Sequence, residues 1–456
     1  MKPSENPLGS EPVSSLLRRF AIPSVIAMLV SALYNMVDQL FIGHSIGVLG
    51  NAATNVAFPL SMVCTSIGLL CGIGGAANFN LCMGRKDPEH AKSYVGNAIS
   101  MLAILGVILC VAVQLFLRPM MLLFGATPDV IDYACTYTRI TSIGFPFLIV
   151  TIGGSNLIRA DGSPKFSMLC NLVGAIVNTI LDPLFIFVFH MGVAGAAVAT
   201  IISQALSAAW VLRFLCSEKS GIRLKKAGMK PDFSLIGQIM ALGVSPFVMS
   251  ATESAITIVM NHGLQVYGGD LYVGSMTILQ SVLQLVFVPI SGFTNGVQPI
   301  ISYNFGAGKF DRVKMTIKRM ISITFLAAFV YVVFAMLRPG LFARLFTTDE
   351  DLIALVKKVL PVYIAGMSVF GVQSGVQSSF LGLGQAKISL CIALLRKVIL
   401  LIPLALILPR FFGVMGVYYA EPVADILSVL TASTLFLLNI RKILSKEMLA
   451  KVTHTT

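Results

Sequence analysis

Charged side chains are scarce in this sequence. Asp, Glu, Lys and Arg together make up 12% of the 456 residues, whereas 56% of the residues are apolar. A chain with so few charges cannot cover a water-exposed globular surface, so the composition excludes an ordinary soluble protein. It predicts an integral membrane protein instead.

Motifs for catalysis or metal binding are also missing. The eight cysteines form no CxxC pair and fall mostly within apolar stretches, which argues against a disulfide framework and a cysteine metal site. No HExxH or Gly-x-Ser-x-Gly motif occurs, and the histidines are scattered at positions 44, 90, 190, 262 and 454. The sequence therefore argues against an intramembrane enzyme and predicts no cofactor. Its polar opening also lacks the features of a cleavable signal peptide.

Long apolar runs dominate what is present. Crossing about 30 Å of hydrocarbon takes about 20 helical residues, and twelve stretches reach that length. They lack the short alternating pattern of barrel strands, so helices are predicted. The fold class predicted is an all-α membrane protein with twelve transmembrane helices. The stretches are 20–42, 54–82, 95–117, 131–157, 166–189, 193–216, 235–262, 271–301, 315–337, 352–380, 388–409 and 414–440.

Parts of the sequence occur twice. Residues 162–167, Gly-Ser-Pro-Lys-Phe-Ser, return as residues 384–389, Gly-Gln-Ala-Lys-Ile-Ser, and the same offset carries Gly84 to Gly306. Since each copy contains several apolar stretches, the duplication predicts two pseudo-symmetric six-helix bundles that face each other across a cavity, as in transporters. The predicted domains are an amino-terminal lobe at 1–217, a linker at 218–234, a carboxy-terminal lobe at 235–441 and a tail at 442–456.

The distribution of Lys and Arg predicts the orientation. With the amino terminus in the cytoplasm, most cations fall on the cytoplasmic side, including those of the linker. The net charge of +13 is therefore interpreted as membrane topology, without nucleic-acid binding. We expect a multi-pass protein of the inner cell membrane with both termini in the cytoplasm. The cations on that side include Arg18, Arg19, Arg85, Lys86, Arg159, Lys165, Lys219, Arg223, Lys225, Lys226, Lys230, Lys309 and Arg312.

Acidic residues at membrane depth are expensive and usually functional. Helix rise places Asp38, Asp182 and Thr200 at similar depths on three different helices. Asn178 lies one turn from Asp182 on the same helix face. The set offers hard oxygen ligands to Na⁺, and two carboxylates in a dry pocket would equally resist joint ionisation and hold a proton. The alternatives without a role in ion binding are a solvated Asp38 and a merely structural hydrogen bond between Asp182 and Asn178.

The second half does not repeat these acids. It carries its own ionisable residues, Glu253, Arg396, Glu421 and Asp425. Helix rise places Arg396 and Asp425 near the membrane midplane, where they could pair. A structural ion pair and a substrate role both remain open at this point.

Several motifs together resemble the multidrug and toxic compound extrusion (MATE) transporters, in the DinF-like branch of the MOP flippase superfamily. The resemblance implies that Asp38, Asn178, Asp182 and Thr200 form the cation site of the amino-terminal lobe, and that the first helix bends at Pro23. It also implies cationic amphipathic drugs or dyes as substrates. The motifs are Ile22-Pro23, Tyr34 to Gly43, Arg159 to Gly162, Asn178 with Asp182-Pro183, Gly192 to Ala197, and Glu421 to Asp425.

Substrate contacts are predicted at Tyr34, one turn from Asp38, and at Asn35, Glu253 and Gln284. The sequence departs from a related branch that binds sodium in the carboxy-terminal lobe. Glu253 could supply the seventh-span Glu of that site, but the tenth span offers only Gln373 and Gln377 where an Asp is needed.

The predicted function is a multidrug efflux antiporter, coupled to H⁺ or Na⁺, which works by alternating access as a monomer in the lipid bilayer. The alternative is a flippase for lipid-linked saccharides, which would need a strongly cationic cavity for pyrophosphate. Midmembrane cations are few, essentially Arg396 and Lys397, and this argues against the alternative.

Overall fold

The computed structural model describes residues 6–46, 48–224 and 229–455; the predicted linker cations Lys225 and Lys226 lie outside them. The described residues form helices and no strand. The first half contains α1 (Pro7–Ser10), α2 (Val13–Ile46), α3 (Val48–Gly84), α4 (Pro88–Leu123), α5 (Ile131–Ile143), α6 (Phe145–Ala160), α7 (Pro164–Pro183), a π-helical segment (Leu184–Val188) and α8 (Gly192–Cys216).

The second half repeats this order with two additional helices. It contains α9 (Phe233–Tyr267), α10 (Asp270–Gly306), α11 (Phe310–Leu337), a short α12 (Pro339–Phe346), α13 (Glu350–Ile364), α14 (Met367–Gly382), α15 (Ala386–Leu394), a π-helical segment (Leu395–Leu401), α16 (Ile402–Phe412) and α17 (Val414–Thr455). The additional helices are α12 and α16.

Twelve membrane spans are confirmed. Among the described residues, ten spans are long and apolar enough to cross a membrane, and the bent pairs α5–α6 and α13–α14 supply the other two. The bends measure 53° and 41°. In the first pair Pro146 stands at the start of α6, where proline cannot donate to the preceding turn. The fourth and tenth spans, which are equivalent in the two halves, are thus both broken.

Proline also marks the π-helical segments. Pro183 ends α7 directly before the first segment, and Pro403 follows the second one. Because proline removes a backbone donor, the neighbouring carbonyl groups must find partners at a different spacing, and a π turn is one such arrangement. Both segments lie next to the ionisable residues of their own half.

The end of the bundle that carries the polar turns after α3, α6 and α10 is here called the inner end, because its Lys and Arg residues predict that it faces the cytoplasm. The linker begins there, where Asp161 accepts hydrogen bonds from Ser220 Oγ (2.9 Å) and Gly221 N (3.1 Å). This contact fixes the start of the linker to the turn after α6.

At the inner end two helices extend beyond the predicted span ends. The first span begins at Val13 and is preceded by α1, because Leu8 is buried against apolar residues of α10 and α11. The last helix continues through the predicted tail at 442–456 as far as Thr455. Leu444 is buried in the same apolar cluster as Leu8, which explains why the helix extends beyond the apolar span.

The two halves meet near the inner end through glycines. A Cβ atom on Gly243 of α9 would overlap the Leu70 carbonyl group of α3, and one on Gly306 of α10 would overlap the Leu81 carbonyl group of α3. Likewise, a Cβ on Gly296 of α10 would crowd the backbone of α2. These contacts lie within about 15 residues of the inner helix ends, or roughly 20 Å. Backbones that approach so closely hold this end of the bundle shut.

We predict that Gly243→Ala destabilises the protein, because the new methyl group collides with backbone that cannot rotate away. Overpacking of this kind costs about 1 to 3 kcal/mol, and the loss is measured as a lower midpoint of thermal unfolding in detergent. Gly237→Ala on the same helix is the control, since its Cβ meets nothing within 4 Å. Equal midpoints for the two variants would contradict the close contact.

Candidate functional site

The predicted cation ligands come together on three helices of the first half. Asp38 lies on α2, Asn178 and Asp182 lie on α7, and Thr200 lies on α8. All four side chains are buried, with Asp182 at 0% exposure and Asp38 at 8%. A solvated Asp38 is therefore not what the structure shows.

Asn178 connects the polar groups of α7 and α8. Its Nδ2 donates to Asp182 Oδ1 at 3.3 Å and to Thr200 Oγ1 at 3.5 Å. The first bond follows from the spacing of four residues along one helix face. Thr200 Oγ1 in turn donates to the Ala196 carbonyl group at 2.9 Å, so its lone pairs face the polar groups. The amide therefore orients the carboxyl group and the hydroxyl toward each other.

The two carboxyl groups lie within hydrogen-bonding reach of each other. Three buried oxygens have no hydrogen-bond partner, namely Asp38 Oδ1, Asn178 Oδ1 and Asp182 Oδ2. Buried polar atoms without partners are rare and costly, and two adjacent carboxylates repel each other. A proton shared by the pair or a small cation among these oxygens would remove both costs. The donor set, all hard oxygen, suits Na⁺ as well as H⁺.

Apolar packing closes one side of this site. Ile42 of α2, Ile186 of the π-helical segment and Ala196 of α8 form a small buried cluster. Phe41 packs edge-on against Phe187, with ring centroids 6.3 Å apart. Because this packing excludes water, electrostatic interactions between the carboxyl groups are stronger than they would be at a surface.

Two tyrosines lie beside the carboxyl groups. Tyr34, predicted as a substrate contact, interacts electrostatically with Asp38 and Asp182, and so does Tyr137 of α5. Tyr137 was not predicted from the sequence, because it lies on α5, a helix of only 13 residues whose position beside α8 is set by packing. No signal in the sequence would have found it.

The other predicted substrate residues do not gather around these tyrosines as one group. Asn35 and Gln284 are exposed on α2 and α10. The predicted hinge Pro23 is buried in a continuous α2, where the neighbouring Ser24 and Val25 cross α10 at Gly292. Pro23 thus packs between the two halves, and bending of α2 at this proline stays a prediction.

A second buried cluster of charges lies in the carboxy-terminal half. Arg396 donates to Asp425 Oδ1 at 2.7 Å and to Glu421 Oε1 at 3.1 Å, and its guanidinium group lies 4.8 Å from the centre of the Phe370 ring. The predicted contact between Arg396 and Asp425 is present. These three charged side chains are at most 8% exposed, so each depends on its partners for charge compensation.

Lys397 continues the cluster and was assigned no partner from the sequence. Its Nζ lies 2.7 Å from Glu253 Oε1, and the Lys397 side chain is 5% exposed. Glu253 is therefore not the free carboxylate that its prediction as a substrate ligand assumed, although its side chain is 41% exposed. Both midmembrane cations are neutralised by carboxylates, so they do not form the cationic cavity that the flippase alternative requires.

The sodium site of the related branch has no counterpart among the described residues of this half. Gln377 Nε2 donates to Ser245 Oγ at 2.9 Å, and Gln373 is buried on α14. Glu253 is paired with Lys397, and the tenth span has Gln373 and Gln377 where that site needs an Asp. Neither carboxylate ligand of that sodium site is therefore free here. No group of three or more His, Cys, Asp or Glu side chains suited to a metal occurs in the part of the chain that the structure describes.

Comparison with known proteins agrees with this arrangement. The MatE family model matches the chain twice, over residues 23–184 and 246–407. The chain is 27% identical to the multidrug export protein MepA of Staphylococcus aureus over 422 residues, which covers 92% of this chain and 93% of that protein. It is 26% identical to MepA of Staphylococcus haemolyticus over 411 residues, or 90% of each. The double match confirms the duplication.

Solved structures have the same fold. The multidrug transporter DinF-BH, determined in complex with a dye, is 33% identical, with a TM-score of 0.90 over 97% of this chain and 99% of that one. An outward-facing multidrug resistance transporter of the MOP superfamily is 21% identical, with a TM-score of 0.89 over 97% of this chain and 99% of that one.

We predict that Arg396→Met strongly lowers stability, because it leaves the Asp425 and Glu421 carboxylates buried without their cation. Breaking a buried ion pair from one side costs about 3 to 5 kcal/mol, and adding Asp425→Asn restores part of the loss. Both are measured as thermal unfolding in detergent. Arg223→Met, which removes an exposed partner of Glu218, serves as the control and changes stability by about 1 kcal/mol or less. If Arg396→Met left the midpoint of thermal unfolding unchanged, the ion cluster would not contribute to stability.

Proposed function

Because the chain belongs to the MatE family of multidrug efflux transporters, we propose that it is a cation-coupled antiporter that exports cationic amphipathic compounds. Inward movement of H⁺ or Na⁺ through the site of Asp38, Asn178, Asp182 and Thr200 drives the exchange. The transport class follows from the family, and the coupling rests on this site.

The contact between the two carboxyl groups is the observation that carries the proposal. Asp38 and Asp182 stand on helices separated by more than a hundred residues of sequence, yet their oxygens meet in a water-excluding pocket. A structural hydrogen bond between Asp182 and Asn178 leaves Asp38 Oδ1 and Asp182 Oδ2 unpartnered. A pocket that is short of one positive charge suits a coupling ion.

Alternating access needs a site whose occupancy favours one arrangement of the halves. The helix α2 links the two regions, since its inner part crosses α10 near Pro23 and its outer part carries Asp38. Drawing Asp38 toward α7 and α8 when the ion binds would shift α2 against α10. We infer that the ion acts on the contact between halves through this helix.

The free energy available for export depends on the number of ions exchanged per drug. A tenfold ion gradient supplies about 1.4 kcal/mol per ion, and a potential of 100 mV adds about 2.3 kcal/mol for each net charge moved. Exchange of one ion for one singly charged drug moves no net charge, so only the gradient then contributes. Two ions per drug would recover the potential as well.

The substrate class follows from the relatives and from the surroundings of the site. MepA is a multidrug export protein, and DinF-BH was determined with a bound dye. Here Tyr34 and Tyr137 stand beside the carboxyl groups and offer aromatic faces to an organic cation. With 21 Met and 29 Phe, the chain also has many adaptable apolar side chains for loose selectivity.

We predict that Asp182→Asn abolishes coupled transport of a cationic dye by the purified protein in liposomes. The substitution keeps the size of the side chain and removes its charge, so the pocket no longer needs a positive particle. Sodium and pH gradients are imposed separately, and the gradient that drives the wild type identifies the coupling ion. A rate at least about tenfold below wild type corresponds to about 1.4 kcal/mol.

Asp132→Asn is the matched control, because Asp132 is exposed and only 3.7 Å from Arg118 in a weak surface pair. It should transport like the wild type. Gradient-driven transport by Asp182→Asn at the wild-type rate would contradict the coupling role. Transport of a lipid-linked saccharide without dye transport would favour the flippase alternative.

A further inference from the structure

We propose that the protein binds a monatomic anion, chloride in the cell, in a small cavity between its two halves near the inner end. The cavity lies among α3, α6 and α10, none of which carries Asp38 or Asp182. It is lined by Ile73, Ala76, Ala77, Asn80, Asn156, Arg159, Asn295, Gln298, Pro299 and Ser302.

Arg159 supplies the charge. Its side chain is 7% exposed, and its Nη1 donates to Asn156 Oδ1 at 3.1 Å, which is a neutral partner. Its Nε has no partner, and no ion pair of Arg159 occurs among the described residues. A buried guanidinium group normally has a carboxylate beside it, as Arg396 does here. The positive charge of Arg159 is therefore uncompensated by the surrounding protein.

Two further donors without partners line the same cavity. They are Asn80 Nδ2, on a side chain with 1% exposure, and Gln298 Nε2, on one with 6% exposure; the acceptor Asn80 Oδ1 is without a partner as well. Asn80 lies on α3 and Gln298 on α10, so the cavity beside Arg159 is lined by amide side chains from both halves. Unpartnered buried donors cost free energy, and several of them around one positive charge form a site for an anion.

The size of the cavity and its lining restrict the occupant. The volume is about 10 Å³, room for about one water molecule or one monatomic ion. Phosphate and carboxylate ligands are too large. The lining includes no acidic residue, so a cation is excluded as well. A single water could satisfy the Asn80 amide but would leave the charge of Arg159 uncompensated, which favours the anion.

The position of this site means that a bound anion would affect the contact between the two halves. Its ligands come from α3 and α6 of the first half and α10 of the second, beside the glycine contacts that hold the inner end shut. Separation of the halves at this end would pull Gln298 away from Arg159. Chloride therefore stabilises the arrangement with the inner end closed.

The test measures chloride binding and stability of the full-length protein purified in detergent. Equilibrium dialysis with radioactive chloride should show about one site per chain. The midpoint of thermal unfolding should be higher in sodium chloride or sodium bromide than in sodium gluconate at equal ionic strength. Both Arg159→Gln and Asn80→Asp should lower chloride affinity at least about tenfold, or about 1.4 kcal/mol.

Asn80→Asp is the second variant, and it should fold even if Arg159→Gln does not, because the new carboxylate itself compensates Arg159. Its unfolding midpoint should be the same in chloride and in gluconate. Lys165→Gln removes an exposed cation from the same end of the bundle and should bind chloride like the wild type. Absence of bound chloride in the wild type would overturn the proposal and leave a water-filled cavity only. Undiminished chloride binding by Asn80→Asp would also overturn it.

Discussion

The contact between Asp38 and Asp182 constrains the rest of this molecule. Two carboxyl groups within hydrogen-bonding reach in a buried pocket cannot both be ionised at low cost, so the pocket needs one positive particle. The helices that bring the groups together are α2 and α7, and neither is free to move alone. Because α2 also crosses α10 of the other half, we propose that the protonation or ion occupancy of this pair affects the contact between the halves. An exchange mechanism needs a link of this kind.

The two halves have diverged in how they handle buried charge. In the first half, the Asp38 and Asp182 carboxyl groups have no cationic partner among the described residues, and we propose that a coupling ion compensates them. In the second half, Arg396 and Lys397 compensate Asp425, Glu421 and Glu253 from within the chain. Both arrangements lie beside π-helical segments in related spans. In the duplicated scaffold, one lobe thus leaves its buried carboxyl groups without a cation from the chain, whereas the other lobe pairs its buried charges with each other.

Features that follow from apolar length and helix geometry were predictable from the sequence. The twelve spans follow from apolar length, and the convergence of Asp38, Asn178, Asp182 and Thr200 follows from helix rise and from the family resemblance. Features that depend on how helices pack could not be predicted. Tyr137 joins the site from α5, which packs against α8. The pairing of Lys397 with Glu253 depends on the π-helical segment at 395–401, and the extension of α17 to Thr455 depends on the burial of Leu444.

The most direct test of the central claim is infrared difference spectroscopy of the purified protein, which separates protonated from ionised carboxyl groups. In sodium-free buffer near neutral pH, the account predicts one protonated carboxyl signal that is missing from Asp38→Asn and from Asp182→Asn. If Na⁺ is the coupling ion, adding it should remove that signal; if H⁺ is, only a rise in pH should do so. Fully ionised Asp38 and Asp182 in the wild type without Na⁺ would contradict the account.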